Sequence, residues 1–479
     1  MNYKLVFKTI GKLLQVEAAL LVFPLIFSLF YKEKISYSFL IPIAILLLVS
    51  RGLSFLKPKE TKFYAKDGFA TVGISWIIFS IFGALPFILS NTLPNFFDAF
   101  FEAASGFTTT GSTVITDIEI VPKSIQLWRS LTNWVGGMGI LVFIIAIIPQ
   151  TNSRSIYLLK AESTGMKVGK LTSKITLSAR ILYLIYIGLT LLLLILLSLK
   201  IPFLDSLNYA LSSAGTGGFA IHNTSIAYYS SAYVEIVIAI FITIFGINFN
   251  IFYLIIIGNI KQALKSEELR YYLLILFGAT ILIALNTLSI YTNFTSALRF
   301  SYFQSASIMT TTGFSSVDFN TWSNFSKWIL IILMVIGGSA GSTAGGIKVS
   351  RIMIYFKTII KEIKHTINPN HISIITFEEK KIEESTSKGV FAYLSAYLFI
   401  LVIAALLISI DGHDIVTNFT ASLSSISNIG PGLSMVGPLG NYSIFSNFSK
   451  IILSIVMLTG RLELFPILIL FSPSLYKNN

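Results

Sequence analysis

The chain contains 479 residues, of which 54% are hydrophobic and only 12% are charged. Soluble domains carry about a quarter charged residues, so this composition excludes a soluble enzyme, a secreted disulfide scaffold and a disordered regulator. The net charge of +13 does not require a nucleic-acid partner, because cytoplasmic loops of membrane proteins are rich in lysine and arginine. The sequence therefore predicts a polytopic membrane protein.

Ten apolar segments are long enough to cross a hydrocarbon core of about 30 Å. They cover residues 5–31, 36–56, 68–90, 125–149, 176–199, 232–258, 270–292, 326–356, 388–410 and 447–471. The connections on one side hold most of the lysine and arginine, whereas those on the other side hold Asp98, Glu102, Asp205 and further acidic residues. Because basic loops stay in the cytoplasm, this asymmetry predicts that both termini are cytoplasmic.

Four outward connections contain an apolar segment that is too short to span the membrane. These segments cover residues 94–108, 203–214, 296–309 and 415–426. They are also too apolar for water-exposed loops, which is typical of re-entrant helices buried in protein.

Each re-entrant segment leads into a short polar stretch that ends in glycine, and the four copies align as an internal repeat. The copies read EAASGFTTTG (102–111), YALSSAGTGG (209–218), QSASIMTTTG (304–313) and ASLSSISNIG (421–430). Their final glycines, Gly111, Gly218, Gly313 and Gly430, lie 95–117 residues apart. Four such units are what one chain needs to build a four-fold pore.

The chemistry of these stretches favours a cation. Backbone carbonyls can replace the hydration shell of an ion where they point into a pore, and glycine permits the backbone angles and close approach that this requires. The C-terminal ends of the re-entrant helices add partial negative charge. Small-residue clusters can instead serve helix packing, but four copies in register favour a filter. Asn428 and Ile429 replace two threonines in the fourth copy, so the binding is assigned chiefly to the backbone.

A second glycine-rich stretch, Gly338 to Gly346, interrupts the apolar span 326–356. Glycine, serine and threonine in this density cannot hold a helix, and irregular backbone is tolerated at bilayer depth only where it lines a cavity or is buried in protein. A nucleotide-binding P-loop is the alternative interpretation. It fails because Ile347 stands where that motif needs lysine.

Three charged residues near the proposed pore have two interpretations each. Arg461 lies in the last apolar span, where a charge usually faces the interior or a cavity. It either lines the pore, or it snorkels or pairs with a carboxylate of a neighbouring helix. Asp98 and Glu102 either concentrate cations at the outer mouth or cap and solvate a re-entrant helix. The four histidines show no ligand spacing, and no catalytic arrangement is recognisable, so the chain is not expected to be an enzyme.

With these motifs the sequence resembles the Trk/Ktr/HKT superfamily of potassium transporters, and within it the TrkH type. Besides the four filter stretches, the resemblance rests on WVGGMG (134–139), GGSAGSTAGGIK (337–348), SNIGPG (427–432) and GRLEL (460–464). It runs from about residue 60 to the C-terminus. The two preceding spans favour the TrkH arrangement over the shorter KtrB arrangement.

The resemblance implies an all-α polytopic membrane protein with four pseudo-repeats around one central pore. Each repeat is a helix, a re-entrant pore helix, a filter segment and a second helix. The expected units are an N-terminal helix pair at 1–60 and pore repeats at 61–160, 161–265, 266–370 (with a gating loop at 338–346) and 371–479.

The resemblance also implies selectivity for K+ and Rb+, because all four filter positions are glycine, whereas a serine at the first goes with sodium permeation in the family. The implied K+ ligands are Thr109, Thr110, Gly111, Thr216, Gly217, Gly218, Thr311, Thr312, Gly313, Asn428, Ile429 and Gly430. The implied gate consists of Gly338, Gly341, Ser342, Thr343, Gly345 and Gly346, with Arg461 beneath the filter. K+ is expected as the permeant ligand, without an organic cofactor.

The leading hypothesis is channel-like K+ uptake across a bacterial-type cytoplasmic (inner) membrane. The alternative is a secondary carrier that couples K+ to Na+ or H+, for which the chain offers few titratable groups at mid-membrane. A membrane-embedded enzyme or scaffold is disfavoured by the repeated design. The resemblance further implies membrane lipid, a homodimer and a cytosolic TrkA/KtrA-type nucleotide-binding regulatory ring as partners.

Overall fold

The computed structural model describes residues 2–57, 64–139, 175–291, 293–369 and 374–473. These ranges are mostly helical and contain one antiparallel hairpin, formed by β1 (Thr376–Phe377) and β2 (Lys380–Lys381). The helices are α1 (Tyr3–Phe30), α2 (Tyr37–Ser54), α3 (Ala65–Gly83), α4 (Leu85–Leu89), α5 (Phe96–Phe107), α6 (Lys123–Met138), α7 (Ile175–Ser198), α8 (Phe203–Ala214), α9 (Ala232–Phe245), α10 (Phe249–Ile256), α11 (Ile260–Lys265), α12 (Glu267–Asn286), α13 (Phe294–Met309), α14 (Asn324–Ile336), α15 (Val349–Ile367), α16 (Glu384–Ile408), α17 (Ile415–Ser427), α18 (Asn447–Arg461) and α19 (Phe465–Leu468).

Six helical segments in the described part are long and apolar enough to cross a membrane. They are α1, α2, the joined α3 and α4, α7, α12 and α16. A helix satisfies its own backbone hydrogen bonds, which lipid cannot do, and this is why such apolar segments adopt it. The structure therefore confirms an all-α polytopic membrane protein.

None of the other four expected spans is one continuous helix in the described residues. The break in 326–356 is the predicted interruption at Gly338 to Gly346, whereas the breaks in 232–258 and 447–471 were not predicted. Helices α9 and α10 are bent by 92° at the break after Phe245. Helix α14 ends at Ile336, where Gly337 has a φ of +75°, and α18 ends at Arg461. Helix α6 ends at Met138, and the rest of its expected span, beyond Gly139, lies outside the described residues. These four are the second helices of the repeats. Glycine follows the last helical residue in three of them, at Gly139, Gly246 and Gly337, whereas α18 ends before Leu462.

The re-entrant segments form four short helices of 12–16 residues, α5, α8, α13 and α17, as predicted. Each of these pore helices packs against the second helix of the repeat before it. The pairs are α5 with α18, α8 with α6, α13 with α9 and α17 with α14. Because the first repeat contacts the last in the same manner, the four repeats close into a ring.

Candidate functional site

The four pore helices end in the same hydrogen-bonded cap. In the first, the amide of Thr109 bonds to the carbonyl of Gly106 at 3.0 Å, and the amide of Thr110 bonds to that of Ser105 at 2.8 Å. This pair of bonds defines a Schellman cap, in which the chain leaves the helix through one left-handed residue. The same pair of bonds occurs after α8, α13 and α17.

The left-handed residue of each cap is a sequence-predicted filter residue and is not glycine. These residues are Thr109 (φ +55°), Thr216 (+51°), Thr311 (+55°) and Asn428 (+56°). A left-handed conformation is a genuine outlier for a β-branched residue such as threonine. Strain of this kind persists where the surrounding structure over-determines it, and it clusters at functional sites.

Each repeated glycine lies two residues after the left-handed residue of its cap. Together with the adjacent repeats, the four glycines form a closed ring. A Cβ atom added to any of these glycines would lie very close to a carbonyl oxygen of the next repeat. The distances are 2.1 Å from Gly111 to the oxygen of Gly217, 1.8 Å from Gly218 to that of Thr312, 2.0 Å from Gly313 to that of Ile429, and 2.9 Å from Gly430 to that of Thr110. The fourth contact returns to the first repeat. Four carbonyl oxygens therefore stand in one ring, each against the glycine of the neighbouring repeat.

One cavity of about 110 Å³ opens above this ring, and all four repeated glycines line it. Residues of the segments that follow the filter complete the wall of the cavity, among them Ser112, Thr113 and Pro431. The structure thus brings together, at one place, segments that are about a hundred residues apart in the chain. The hydroxyl of Thr109 is buried and has no hydrogen-bond partner among the described residues.

The fourth repeat departs from the symmetry of the other three. The carbonyl of Gly430 accepts hydrogen bonds from Ser424 Oγ at 2.7 Å, Tyr442 Oη at 2.8 Å and Ser112 Oγ at 3.1 Å. The side-chain amide of Asn428 donates to Thr110 Oγ1 at 2.9 Å. Three donors already bond to the Gly430 carbonyl. The ring is therefore formed by the carbonyl oxygens of the residues that precede the four repeated glycines.

A buried ion pair supports the filter from behind. Arg129 Nε lies 2.8 Å from Glu102 Oε1, and both side chains are almost fully buried. The same carboxylate accepts bonds from the Thr113 hydroxyl and the Val114 amide, while Arg129 donates to the Ala220 carbonyl at 3.0 Å. The ion pair therefore joins the segments that follow the first and second filter segments.

This arrangement corrects the sequence-based interpretation of two acids. Glu102 is fully buried against Arg129, so it neither faces the outer mouth nor solvates the pore helix. Asp98 pairs with Lys450 Nζ at 2.6 Å. Arg129 was not predicted as a supporting residue, although an arginine inside an apolar span is a signal for a buried, partnered charge.

The expected gating loop lies directly beneath the filter. The amide of Gly345 donates to Thr311 Oγ1 at 2.6 Å, and the amide of Gly346 donates to the Ser427 carbonyl at 3.0 Å. An added Cβ at Gly345 would lie 2.2 Å from that Ser427 carbonyl. The loop therefore contacts the third filter segment through the Thr311 hydroxyl and the fourth through the backbone of Ser427.

The remaining loop residues hold it against the helix break after α9. The carbonyl of Gly338 accepts from the Val349 amide, and that of Gly341 accepts from the Phe249 amide at 3.1 Å. Ser342 Oγ donates to the Ser339 carbonyl at 2.6 Å, and Thr343 Oγ1 donates to that of Phe245. All six predicted loop residues thus lie in one ordered segment between α14 and α15.

Arg461 connects this loop to the first repeat. Its guanidinium donates to the carbonyls of Thr343 at 2.9 Å, Gly136 at 2.5 Å and Gly137 at 2.6 Å. These partners are backbone carbonyls, whereas the nearby Glu463 pairs with Arg351 at 2.5 Å. A carbonyl-bound guanidinium keeps its full positive charge, and it lies between the loop and the end of α6.

The fold defines an all-α polytopic membrane protein in which four repeated segments meet in one ring. Comparison with known proteins gives its family. A model of the TrkH family, described as cation transport proteins, matches residues 35–478. The chain therefore belongs to the TrkH family, which is a family of transport proteins and not of enzymes, and the resemblance seen in the sequence is confirmed.

Individual relatives match over the whole chain. The chain is 31% identical to the Trk system potassium uptake protein TrkH of Salmonella typhimurium and 30% identical to that of Escherichia coli K12, with 100% of each chain covered. The crystal structure of the potassium transporter TrkH from Vibrio parahaemolyticus matches with a TM-score of 0.89 at 29% identity, again over 100% of both chains.

Proposed function

We propose that this protein takes up K+, and Rb+ with it, across the bacterial cytoplasmic (inner) membrane by channel-like conduction. The observation that carries this proposal is the closed ring of four carbonyl oxygens, each set against a glycine of the next repeat. Carbonyl rings of this kind replace the hydration shell of K+. The names of the full-length relatives, which are potassium uptake proteins, support the same ion.

The proposed ion ligands are the filter residues around this ring. The carbonyls of Thr110, Gly217, Thr312 and Ile429 form the ring, and the strained residues Thr109, Thr216, Thr311 and Asn428 precede it. Gly111, Gly218, Gly313 and Gly430 contribute by permitting the close approach. A cation that crosses inward gains about 2.3 kcal/mol per 100 mV of membrane potential, which can drive the uptake.

The proposal includes a gate formed by the loop Gly338 to Gly346 and by Arg461. The hydrogen bond from Gly345 to Thr311 places the loop against the filter, which supports this role. The positive charge of Arg461, held by Thr343 and α6, supports a barrier to cations at the same level. Opening then requires the loop to leave the filter and Arg461 to release the loop.

The proposal extends to a homodimer and to a cytosolic nucleotide-binding regulatory ring of the TrkA/KtrA type. A row of exposed apolar side chains on α15 supports the dimer, formed by Phe356, Ile360, Ile363 and Ile367. Their spacing of four, three and four residues is that of a coiled-coil seam. The regulatory ring is proposed from the family resemblance. The cytoplasmic location of both termini rests on the same resemblance and on the basic loops.

Uptake of rubidium-86 into liposomes that contain the purified chain alone tests the proposal. We expect uptake that follows an imposed potential and is blocked by K+ and not by Na+. A requirement for a Na+ or H+ gradient would contradict the channel mechanism and indicate a coupled carrier. If the parent protein shows no uptake, the deletion of Gly341 to Gly345 distinguishes two explanations. A closed gate predicts uptake by the deletion variant, whereas a wrong pore assignment predicts none.

A further inference from the structure

The hairpin between α15 and α16 has a strained turn. Its two central residues, Glu378 and Glu379, both have left-handed backbone angles, with φ of +49° and +60°. Two-residue hairpin turns of this type favour asparagine and glycine at these positions. Two glutamates there imply that contacts elsewhere hold the turn in place.

The contacts of Glu378 lead to the first turn of α12. Its carboxylate accepts hydrogen bonds from Ser266 Oγ at 2.8 Å and from the amide of Glu268 at 3.0 Å. A carboxylate at a helix N-terminus satisfies free amides and interacts favourably with the helix dipole. The turn is therefore fastened to the beginning of α12.

The side chain of Glu268 continues this connection to the gating loop. Glu268 is 4% exposed, and its Oε1 accepts a hydrogen bond from the amide of Ala340 at 2.7 Å. Bonds between a carboxylate and a backbone amide are roughly twice as strong as neutral ones. Ala340 lies in the loop beside Ser339, whose amide bonds to the Gly246 carbonyl.

The hairpin also holds the helix that follows the loop. Lys357 on α15 pairs with Glu267 at the start of α12 and donates to the Thr376 carbonyl of β1 at 2.8 Å. The hairpin thus contacts α12 and α15 together. These helices meet the loop at Ala340 and at its C-terminal end.

We propose that the hairpin and Glu268 form a strut that keeps the loop in its closed position beneath the filter. Glu268 acts by holding the amide of Ala340, and Glu378 acts by fixing the turn of α12 that carries Glu268. Both are positioning residues, and neither touches the permeant ion. A displacement of the hairpin, acting on the side of the membrane where the hairpin lies, would release the loop. The inference rests on the proposed function of the loop as a gate.

The test uses rubidium-86 uptake by the purified full-length chain in liposomes under an imposed potential. Glu268→Ala and Glu378→Ala should each raise uptake about tenfold, since a bond to a charged group is lost from the closed state only. The matched control is Glu379→Ala, which makes the same change at the adjacent strained position. Glu268→Gln keeps an acceptor oxygen and should stay within about twofold of the parent.

Two further readouts separate a strut from general damage. Discrimination of K+ against Na+ should stay unchanged in Glu268→Ala and Glu378→Ala, because the filter is untouched. Amide exchange in peptides that cover 338–346 should become faster in both. Combining the two substitutions should add little to either alone, because both remove the same restraint. If Glu268→Ala fails to fold, Glu378→Ala decides, since it leaves the buried carboxylate in place.

Uptake by Glu378→Ala that equals that of Glu379→Ala would overturn the inference. The deletion of Gly341 to Gly345 tells this failure apart from failure of the proposed gate. If the deletion raises uptake while Glu268→Ala and Glu378→Ala do not, the strut is wrong and the gate stands. If the deletion does not raise uptake, the gate assignment is wrong and the strut with it.

Discussion

The hydroxyl of Tyr442 donates a hydrogen bond of 2.8 Å to the carbonyl of Gly430, the last of the four repeated glycines. Ser424 and Ser112 donate to the same oxygen. Among the described residues, no comparable donor is found on the carbonyls of Gly111, Gly218 or Gly313. The fourth filter segment is therefore held by side chains in a manner that the first three are not.

Removing the Tyr442 hydroxyl should loosen the fourth filter segment. We expect Tyr442→Phe to lower the discrimination of K+ against Na+ by about two- to tenfold, which corresponds to one neutral hydrogen bond. Competition of either ion with rubidium-86 uptake measures this. Tyr228→Phe is the control, since Tyr228 is 53% exposed, stacks on His222 and is not one of the donors to the Gly430 carbonyl. Equal effects of the two substitutions would argue against a special role of Tyr442.

A methyl group at a repeated glycine should block conduction. In Gly218→Ala the new Cβ would lie 1.8 Å from the Thr312 carbonyl, and φ is +72°. We expect uptake to fall below a tenth of the parent value. Gly188→Ala in α7 adds the same atom with nothing within 4 Å, and it should retain full uptake with up to about 1 kcal/mol more helix stability. Normal uptake by Gly218→Ala would contradict the ring.

Breaking the ion pair behind the filter should destabilise the protein. Arg129→Met leaves the Glu102 carboxylate buried without its partner, and we expect a loss of about 3–5 kcal/mol of unfolding free energy. Thermal unfolding in detergent measures it. Combination with Glu102→Gln should recover part of the loss, because the uncompensated charge is then absent. Lys388→Met, which breaks the exposed pair with Glu384, should change stability by no more than about 1 kcal/mol.

Removing the charge of Arg461 should raise the flux. Arg461→Gln removes the positive charge and weakens the bonds to Thr343 and to the end of α6, so the loop is held less firmly. We expect rubidium-86 uptake to rise several-fold with unchanged discrimination against Na+. Arg461→Lys keeps the charge but not the geometry of two terminal nitrogens. It should therefore give an intermediate value, and a lower flux in Arg461→Gln would refute the barrier.

The apolar row on α15 should lie at a dimer contact. The chain has no cysteine, so single cysteines can be introduced without background. Ile363→Cys should form a disulfide-linked dimer on mild oxidation in native membranes, as seen by non-reducing electrophoresis. His365→Cys lies on the opposite face of the same helix and should remain monomeric. Equal cross-linking at both positions would indicate random collision.

The pore helices could be predicted from the sequence because their signal is local. A half-length apolar run at 94–108 predicts a short helix, and the structure has it at Phe96–Phe107. The meeting of the four repeated glycines could be predicted because the repeat places them in register. Neither inference needs knowledge of which segments touch.

The broken second helices and the supporting side chains were harder to predict. Hydropathy averages over a window, so it does not register a break such as that after Phe245, where both halves are apolar. The partners of Arg461 are carbonyls of two other repeats, and any carbonyl in the chain was an equally good candidate before folding. The pairing of Glu268 with Ala340 is hidden for the same reason.

The closure of the ring has a consequence for how the chain is made. Ser112 bonds to the Gly430 carbonyl and Asn428 bonds to Thr110, and in both cases the partners are 318 residues apart. At a synthesis rate of about 5–20 residues per second, the first repeat waits roughly 15–60 s for the last. Until then Thr110 and Ser112 lack the partners that they contact in the fourth repeat. The ring of carbonyl oxygens is thus completed only in the final stage of biogenesis, and a chain that is truncated before the fourth repeat cannot assemble it.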